Sequence, residues 1–408
     1  MVNPVLVSAR SEIEAPASTR SVFRSPALFV RECLAGVMTS LALVPEVISF
    51  SVVAGVDPQV SLVASVVLGL VMSLLGGRAA MVTAAAGSVA LVIGPTVSAH
   101  GVQYVLPIVL LAGLVQIAVG LSGLAKAMRH VPRSVMNGFV NALGVLIFCA
   151  QIPHVWQRSG ATWALFAVTV AIVSFLPRFG KVVPSPLAAI VVVTTLSAWG
   201  HLAVPHVSDQ GALTSGLPAL TALTVPLNLE TLLVIWPAAL SVAFVGLLES
   251  LLTAQLVDEM TKTESNKQRE SWALGIANLC AGLYGGIAGC AMIGQTIVNV
   301  QIGRARTRVS TVVAALVLLL LVTGLSRVMA QIPMVALAAV MMVVAVKTVN
   351  WESLRPSTLQ RRPVAETIVM AVTLAITVWT GNLAIGVGTG ASVAWAMTRR
   401  FGRLSISK

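Results

Sequence analysis

The sequence predicts an all-α polytopic membrane fold: fourteen transmembrane segments in a seven-plus-seven inverted repeat, with two half-helices preceded by short β-strands. Three observations carry that expectation. Apolar stretches recur almost without pause, basic residues fall in alternate loops, and a set of landmarks repeats about 200 residues apart.

Of 408 residues, 57% are hydrophobic and only 10% charged, with a mean hydropathy of +0.93. Soluble domains run near a quarter charged, and a water-soluble fold cannot hide so much apolar surface. The apolar stretches fall at 30–54, 60–76, 83–98, 102–125, 135–153, 160–176, 183–201, 230–257, 271–284, 291–303, 309–326, 333–348, 364–380 and 382–398. Segments three and ten are too short to cross as helices, since a span takes about 20 residues. Each follows a double glycine, Gly76-Gly77 and Gly285-Gly286.

Cytoplasmic loops carry the Lys and Arg excess of a membrane protein. With the N-terminus inside, Lys126, Arg129, Arg133, Arg178, Lys181, the stretches 262–269, 304–308 and 355–362, and Arg399 onward all fall inside; Arg158 and Arg327 fall outside. An even number of crossings then puts both termini in the cytoplasm. The net charge of +12 is therefore a topological signal, and no basic face for a nucleic acid is implied.

The repeat shows in ordered matches. Gly76-Gly77 pairs with Gly285-Gly286 at an offset of 209, Val131-Pro132 with Ile332-Pro333 at 201, Trp156 with Trp351 at 195, and Glu46 with Glu249 at 203. Seven segments is an odd number, so the second half must enter from the opposite face. The organisation expected is a cytoplasmic tail at 1–26, a first repeat at 27–201, an extracellular connector at 202–229, a second repeat at 230–400 and a cytoplasmic end at 401–408. The tail lacks the apolar core of a signal peptide.

If segments three and ten are half-helices, their N-termini meet near the bilayer centre, around Ala86-Gly87-Ser88 and Ala291-Met292-Ile293. Unpaired amides and positive dipole ends there make an anion site from backbone. Two carboxylates lie deep in apolar sequence, Glu46 in the first segment and Glu249 in the eighth. Charged groups at that depth cost roughly 3 kcal/mol or more and mark ion or proton pathways. Pro45 is expected to break the first helix beside Glu46. Glu32, Asp258, Glu259 and Glu366 stand at segment ends and read as solvated interfacial charges. No Lys or Arg is placed to reach the centre, because Arg78 belongs to the approach to segment three.

An anion beside two ionised carboxylates is repelled, and protonating one or both turns repulsion into hydrogen-bond donation. The expectation is proton-coupled uptake, with Glu249 the leading proton carrier and Glu46 the second; sodium beside Glu249 is the alternative coupling ion. Cys33, Cys149, Cys280 and Cys290 lie in or beside apolar runs without CxxC spacing and read as packing residues. His100, His130, His154, His201 and His206 stand at segment ends or in loops. No nucleophile motif, phosphate loop or HExxH occurs, so neither an enzyme nor a cofactor or metal is expected.

Several runs in order resemble the sulfate permease (SulP) family of anion transporters. VPEVISFSVVAGVDP at 44–58 is similar to that family's LPQxLAFAxLAGxPP stretch, with VPRSVMNGF at 131–139 and GIANLCAGLYGG at 275–286 as further matches. The resemblance spans about 30–400 and implies core and gate domains, the core being segments one to four and eight to eleven. It places the anion between segments three and ten, lined by one and eight. Glu46 then stands where many members have Gln, Phe50 matches an aromatic at the anion, and Glu249 with Thr253 matches an acid and hydroxyl beside the sodium site of bicarbonate carriers.

Two departures stand out. Gly294 occupies a place where other members have an arginine, and the sequence ends at Lys408, where most members continue into a cytoplasmic regulatory domain. The function expected is proton-coupled symport of a dicarboxylate such as fumarate, in a bacterial inner membrane, by an elevator-like or rocking movement. Alternatives are sodium-coupled bicarbonate transport, proton-coupled sulfate transport, or a passive anion channel. Nucleobase transport is disfavoured because segment ten has no acid. The family resemblance makes a homodimer and lipid contacts expected partners.

Overall fold

The computed structural model describes residues 19–124, 132–156, 159–178, 185–210, 219–226, 228–324, 326–355, 357–358 and 363–400. Lys126, Arg129, His130, Val131, Arg158, Lys181, and most of the tail, connector centre and C-terminal end lie outside that set.

After a short helix at Thr19–Arg24, the first repeat holds α1 (Pro26–Ala54), α2 (Pro58–Leu75), β1 (Thr83–Ala85), α3 (Gly87–His100), α4 (Val105–Ser122), α5 (Arg133–Gln151), α6 (Gly160–Phe175) and α7 (Ser185–Trp199). The second holds α8 (Leu229–Thr261), α9 (Lys267–Gly282), β2 (Gly289–Ala291), α10 (Ile293–Ile297, continued by a π-helical turn at Val298–Ile302), α11 (Arg308–Gly324), α12 (Met334–Thr348), α13 (Val364–Thr380) and α14 (Leu383–Arg400). This is the seven-plus-seven arrangement, with a strand before the third helix of each half.

Local chemistry sets the ends. Gly55, at φ 70°, closes α1 and donates its N–H to Ser51 and Val52. Asp57 then caps α2 by accepting from the Gln59 N–H at 2.7 Å, and Pro58 takes the first turn, where a missing N–H costs nothing. Pro45 does not break α1, which runs unbroken from Pro26 to Ala54. Its ring removes one intrahelical bond, and the neighbouring turns are held by burial of Leu43, Val44, Val47 and Ile48.

The two strands pair antiparallel, Thr83 opposite Ala291, Ala84 opposite Cys290 and Ala85 opposite Gly289. Every strand residue is buried, so extended backbone is tolerated at membrane depth because its polar groups are met by protein. Ala85 N–H donates to Ser65, Ala291 N–H to Ser250, and Val82 N–H to Thr296. Asn278 holds Gly289 from both sides, accepting from its N–H at 2.8 Å and donating to its carbonyl at 3.2 Å, and also donates to Gln116 at 2.8 Å.

Packing divides the helices into two bundles. In one, α1 lies on α3 and α11, α2 on α9 and α11, and α4 on α8 and α9. In the other, α5 lies on α12 and α13, α6 on α7 and α12, and α13 on α14. Fewer neighbours join them: α1 with α7 and α12, α3 with α5, and α8 with α14.

Glu32 corrects the expectation of a solvated charge. It is 1% exposed and accepts the N–H of Arg306 at 2.7 Å, Thr307 at 3.2 Å and Ser310 at 3.3 Å, which caps the start of α11. The favourable interaction of a carboxylate with a helix N-terminus offsets its burial. Glu270, fully buried, does the same for the turn into β1, accepting from Gly77 N–H at 2.6 Å and Arg78 N–H at 3.1 Å. Asp258 pairs with Arg78 at 3.1 Å and Lys267 at 2.6 Å.

Replacing Asn278 with leucine leaves the Gly289 N–H buried without a partner, at a cost of about 1–3 kcal/mol. Thermal unfolding of the purified Asn278→Leu protein in detergent is expected at a lower temperature than the parent; an unchanged transition would show that Asn278 does not hold β2.

Candidate functional site

The site is built where the two strands hand over to α3 and α10. Ala86 and Met292 precede the helices in extended conformation, and neither side chain caps the turn that follows. The first N–H groups of a helix have no intrahelical partner. For α3, fourteen residues long, they belong to Gly87, Ser88 and Val89.

Glu249 approaches from α8 and is 7% exposed. Its Oε2 accepts from the Ser88 hydroxyl at 2.5 Å and from the Cys290 thiol at 3.1 Å. One carboxylate oxygen thus joins α8, the start of α3 and strand β2. Thr253, one turn further along α8, donates to the Glu249 carbonyl at 2.8 Å and approaches the Ala291 carbonyl at 3.3 Å. The Ser250 hydroxyl meets the Ala291 N–H at 3.0 Å, so three residues of α8 dock on β2 and the residues around it.

Phe50 lies in the core at 4% exposure, with its ring against Gly87. A Cβ on Gly87 would stand 2.4 Å from the Phe50 ring, so only glycine admits this contact. Ala86, Ser88, Ala291 and Met292 are buried, whereas Glu46 and Ile293 are partly exposed and Gly294 is open. A Cβ on Gly294 would meet nothing within 4 Å. Open space therefore lies at the first turn of α10, where the neighbouring Gln295 side chain is hydrogen-bonded to Glu46.

The residues expected from the sequence therefore form two groups. Glu249, Ser88, Ala291 and Thr253 are joined by hydrogen bonds, and Phe50 and Gly87 by packing. Glu46 stands apart with Gln295, and no hydrogen bond connects it to Glu249 among the described residues. Arg78 is engaged elsewhere, with Asp258, Thr261 and Thr263, and does not reach the centre.

Two residues were not anticipated. Cys290, read as a packing residue, donates to the site carboxylate; its place in the strand before a broken helix was the available signal. Gln295, 3% exposed, sits in the first turn of α10, and its polarity in a small-residue run was the signal there.

Known proteins resemble this chain closely. The sulfate permease family matches residues 29–178 and 159–373. A Bacillus subtilis protein named for sulfate transport, YbaR, is 47% identical over 363 residues, covering 88% of this chain and 75% of its own. The bicarbonate transporter BicA of Picosynechococcus sp. is 30% identical over 400 residues, covering 89% and 69%. The solved transmembrane domain of a cyanobacterial bicarbonate transporter BicA superposes with a TM-score of 0.79 at 26% identity, over 88% of this chain and 97% of that one. SLC26A9 superposes with a TM-score of 0.79 at 16% identity, over 91% and 65%, and shares the fold.

Gly87→Ala is expected to push Phe50 from the start of α3 and raise the KM for transport about tenfold, the equivalent of roughly 1.4 kcal/mol, while changing the maximal rate less. Initial-rate uptake in proteoliposomes measures both; an unchanged KM would separate Phe50 and Gly87 from the substrate.

Proposed function

Because this chain belongs to the sulfate permease family, and is thus a multi-pass membrane anion transporter rather than an enzyme, we propose that it couples uptake of a small anion to protons, with Glu249 as the proton carrier. The observation that carries this reading is the burial of the Glu249 carboxyl, 7% exposed, in a site with no Lys or Arg among the described residues, so that the Ser88 and Cys290 donors offset only part of the cost of its charge.

Magnitudes decide the need for a proton. Two like charges ~4 Å apart repel by about 4 kcal/mol at an effective dielectric constant of 20. A helix N-terminus returns about 0.3–1 kcal/mol, up to ~2 kcal/mol when partly buried. The amides of Gly87, Ser88 and Val89 therefore attract an anion only once the nearby carboxylate is neutral. Proton before anion, from the same side, is the order that results.

Proton is favoured over sodium by the company Glu249 keeps. Sodium wants several hard oxygen ligands, and a thiol is a soft one. Here Cys290 and Ser88 both spend their hydrogens on Oε2, and the Thr253 hydroxyl points at backbone carbonyls. Glu46, beside Gln295, is the second protonatable group and would face the substrate directly, along with Phe50, Ala86 to Ser88 and Ala291 to Ile293.

For the substrate, a dicarboxylate such as fumarate is the leading reading, favoured by two protonatable acids, Glu46 and Glu249, without a fixed cation beside them among the described residues. Sulfate is the second, favoured by the name of the relative sharing 47% of its residues, and bicarbonate follows from BicA. Transport would move the bundle of α1–α4 and α8–α11 against the other, whose fewer contacts favour sliding. The basic excess favours both termini on the cytoplasmic side, and the Bacillus subtilis relative favours a bacterial inner membrane.

In proteoliposomes with an inside-alkaline gradient, fumarate is expected to accumulate above its external concentration, with sodium replaced by choline to no effect. Glu249→Gln should abolish the accumulation; accumulation by that variant with an unaltered pH dependence would end the proposal. A requirement for sodium would reassign the coupling ion, and uptake of sulfate or bicarbonate alone would reassign the substrate. Gly294→Arg adds a fixed positive charge to the open space, and is expected to flatten the dependence of anion binding on pH; an unchanged profile would place the anion elsewhere.

A further inference from the structure

Outside the transport site, a groove of about 390 Å³ opens between the N-terminal helix, α1, α2 and α11. Water occupies ~30 Å³ per molecule in the liquid, so the groove has room for something much larger. Its walls are hydrocarbon: Phe23, Phe29, Leu74, Val309, Val312 and Val313. Phe23 and Leu74 are each 68% exposed, and the rings of Phe23 and Phe29 lie 5.8 Å apart at its edge. The short helix Thr19–Arg24 is pinned by Val22, 1% exposed, and ends in Arg24.

One end of the groove is basic, through Arg308 in its lining and Arg269 beside that residue. Arg308 lines it and donates to the carbonyls of Ser73, at 2.7 Å, and Gly76, at 2.5 Å. Arg269 donates to the carbonyls of the two residues between, Leu75 at 2.7 Å and Leu74 at 3.3 Å. Two guanidinium groups thus converge on the last turn of α2, close enough to repel each other. Among the described residues neither has a carboxylate in ion-pair contact. The nearest acid, Glu270, is already committed to the amides of Gly77 and Arg78. Repulsion between the exposed Arg269 and the half-buried Arg308 beside an apolar trough is relieved by an anion that carries hydrocarbon with it.

We propose that this groove is a binding site for an anionic phospholipid, with its phosphate at Arg269 and Arg308 and part of an acyl chain along Leu74, Val309 and Val312. Charge complementarity selects the headgroup, since juxtamembrane basic residues attract anionic lipids at the membrane surface. Burial of apolar area selects the chain. The site is independent of the substrate and coupling ion, and the lipid would brace the N-terminal helix against α2 and α11.

Native mass spectrometry of the full chain, released from equimolar phosphatidylglycerol and phosphatidylcholine, tests it. One phosphatidylglycerol per chain is expected to be retained in preference to phosphatidylcholine. Arg269→Gln removes a charge and leaves the groove, and should weaken retention about fivefold. Val312→Trp fills the groove and leaves the charge, and should weaken it as well. Equal retention of both lipids, or undiminished phosphatidylglycerol on either variant, overturns the proposal. So does a thermal stabilisation by inorganic phosphate equal to that by phosphatidylglycerol, which would make this a free-anion site.

Discussion

The arrangement hangs on one carboxylate oxygen. Glu249 Oε2 takes a hydroxyl from the start of α3 and a thiol from β2, so the two inverted repeats meet at a single acceptor. A buried carboxylate with two neutral donors and no cation is costly when ionised, because hydrogen bonds return only part of the lost hydration. That cost is the physical basis of the proposed proton coupling. The strand pair supplies the geometry, holding the residues that lead into α3 and α10 side by side.

Around that centre the polar residues divide by task. Asn278, Ser65 and Ser250 satisfy the backbone of the strands, with Gln116 accepting from Asn278 behind them, and let it run extended inside the lipid. Glu32 and Glu270 secure loops at one end of the same bundle, each through amide groups far away in sequence. The second bundle carries a separate network, in which Asn141 binds Ser353 and the Asn350 N–H. Fewer helix neighbours join the two bundles than hold each together, and a polar contact, from Asn382 to Ser241, crosses between them.

Much of the fold was legible because its signals are local. Apolar runs mark the spans, and the double glycines with small residues after them mark the two interruptions, since a helix without side-chain packing at that point gains little by continuing. Glu249 was legible for a similar reason: an acid inside an apolar run has few structural excuses. What escaped is long-range. Cys290 stands 41 residues from Glu249, and Ser88 161 residues from it, so the thiol's role depends on a strand pairing that no periodicity announces. Glu32 looked solvated because it sits near a segment end, yet its partners lie 274 to 278 residues away. Pro45 failed as a helix breaker because the residues flanking it are packed on both sides, and tertiary burial outweighs one missing hydrogen bond.

Whether Glu249 carries the proton when the anion binds is the claim on which the rest turns. Infrared difference spectra of the reconstituted protein, recorded as fumarate is added in sodium-free buffer, read that state directly. A protonated carboxylic acid band that grows on binding in the parent and is missing in Glu249→Gln is the result predicted. Full anion binding with no carboxylic acid signal, or the same signal in both proteins, would contradict it.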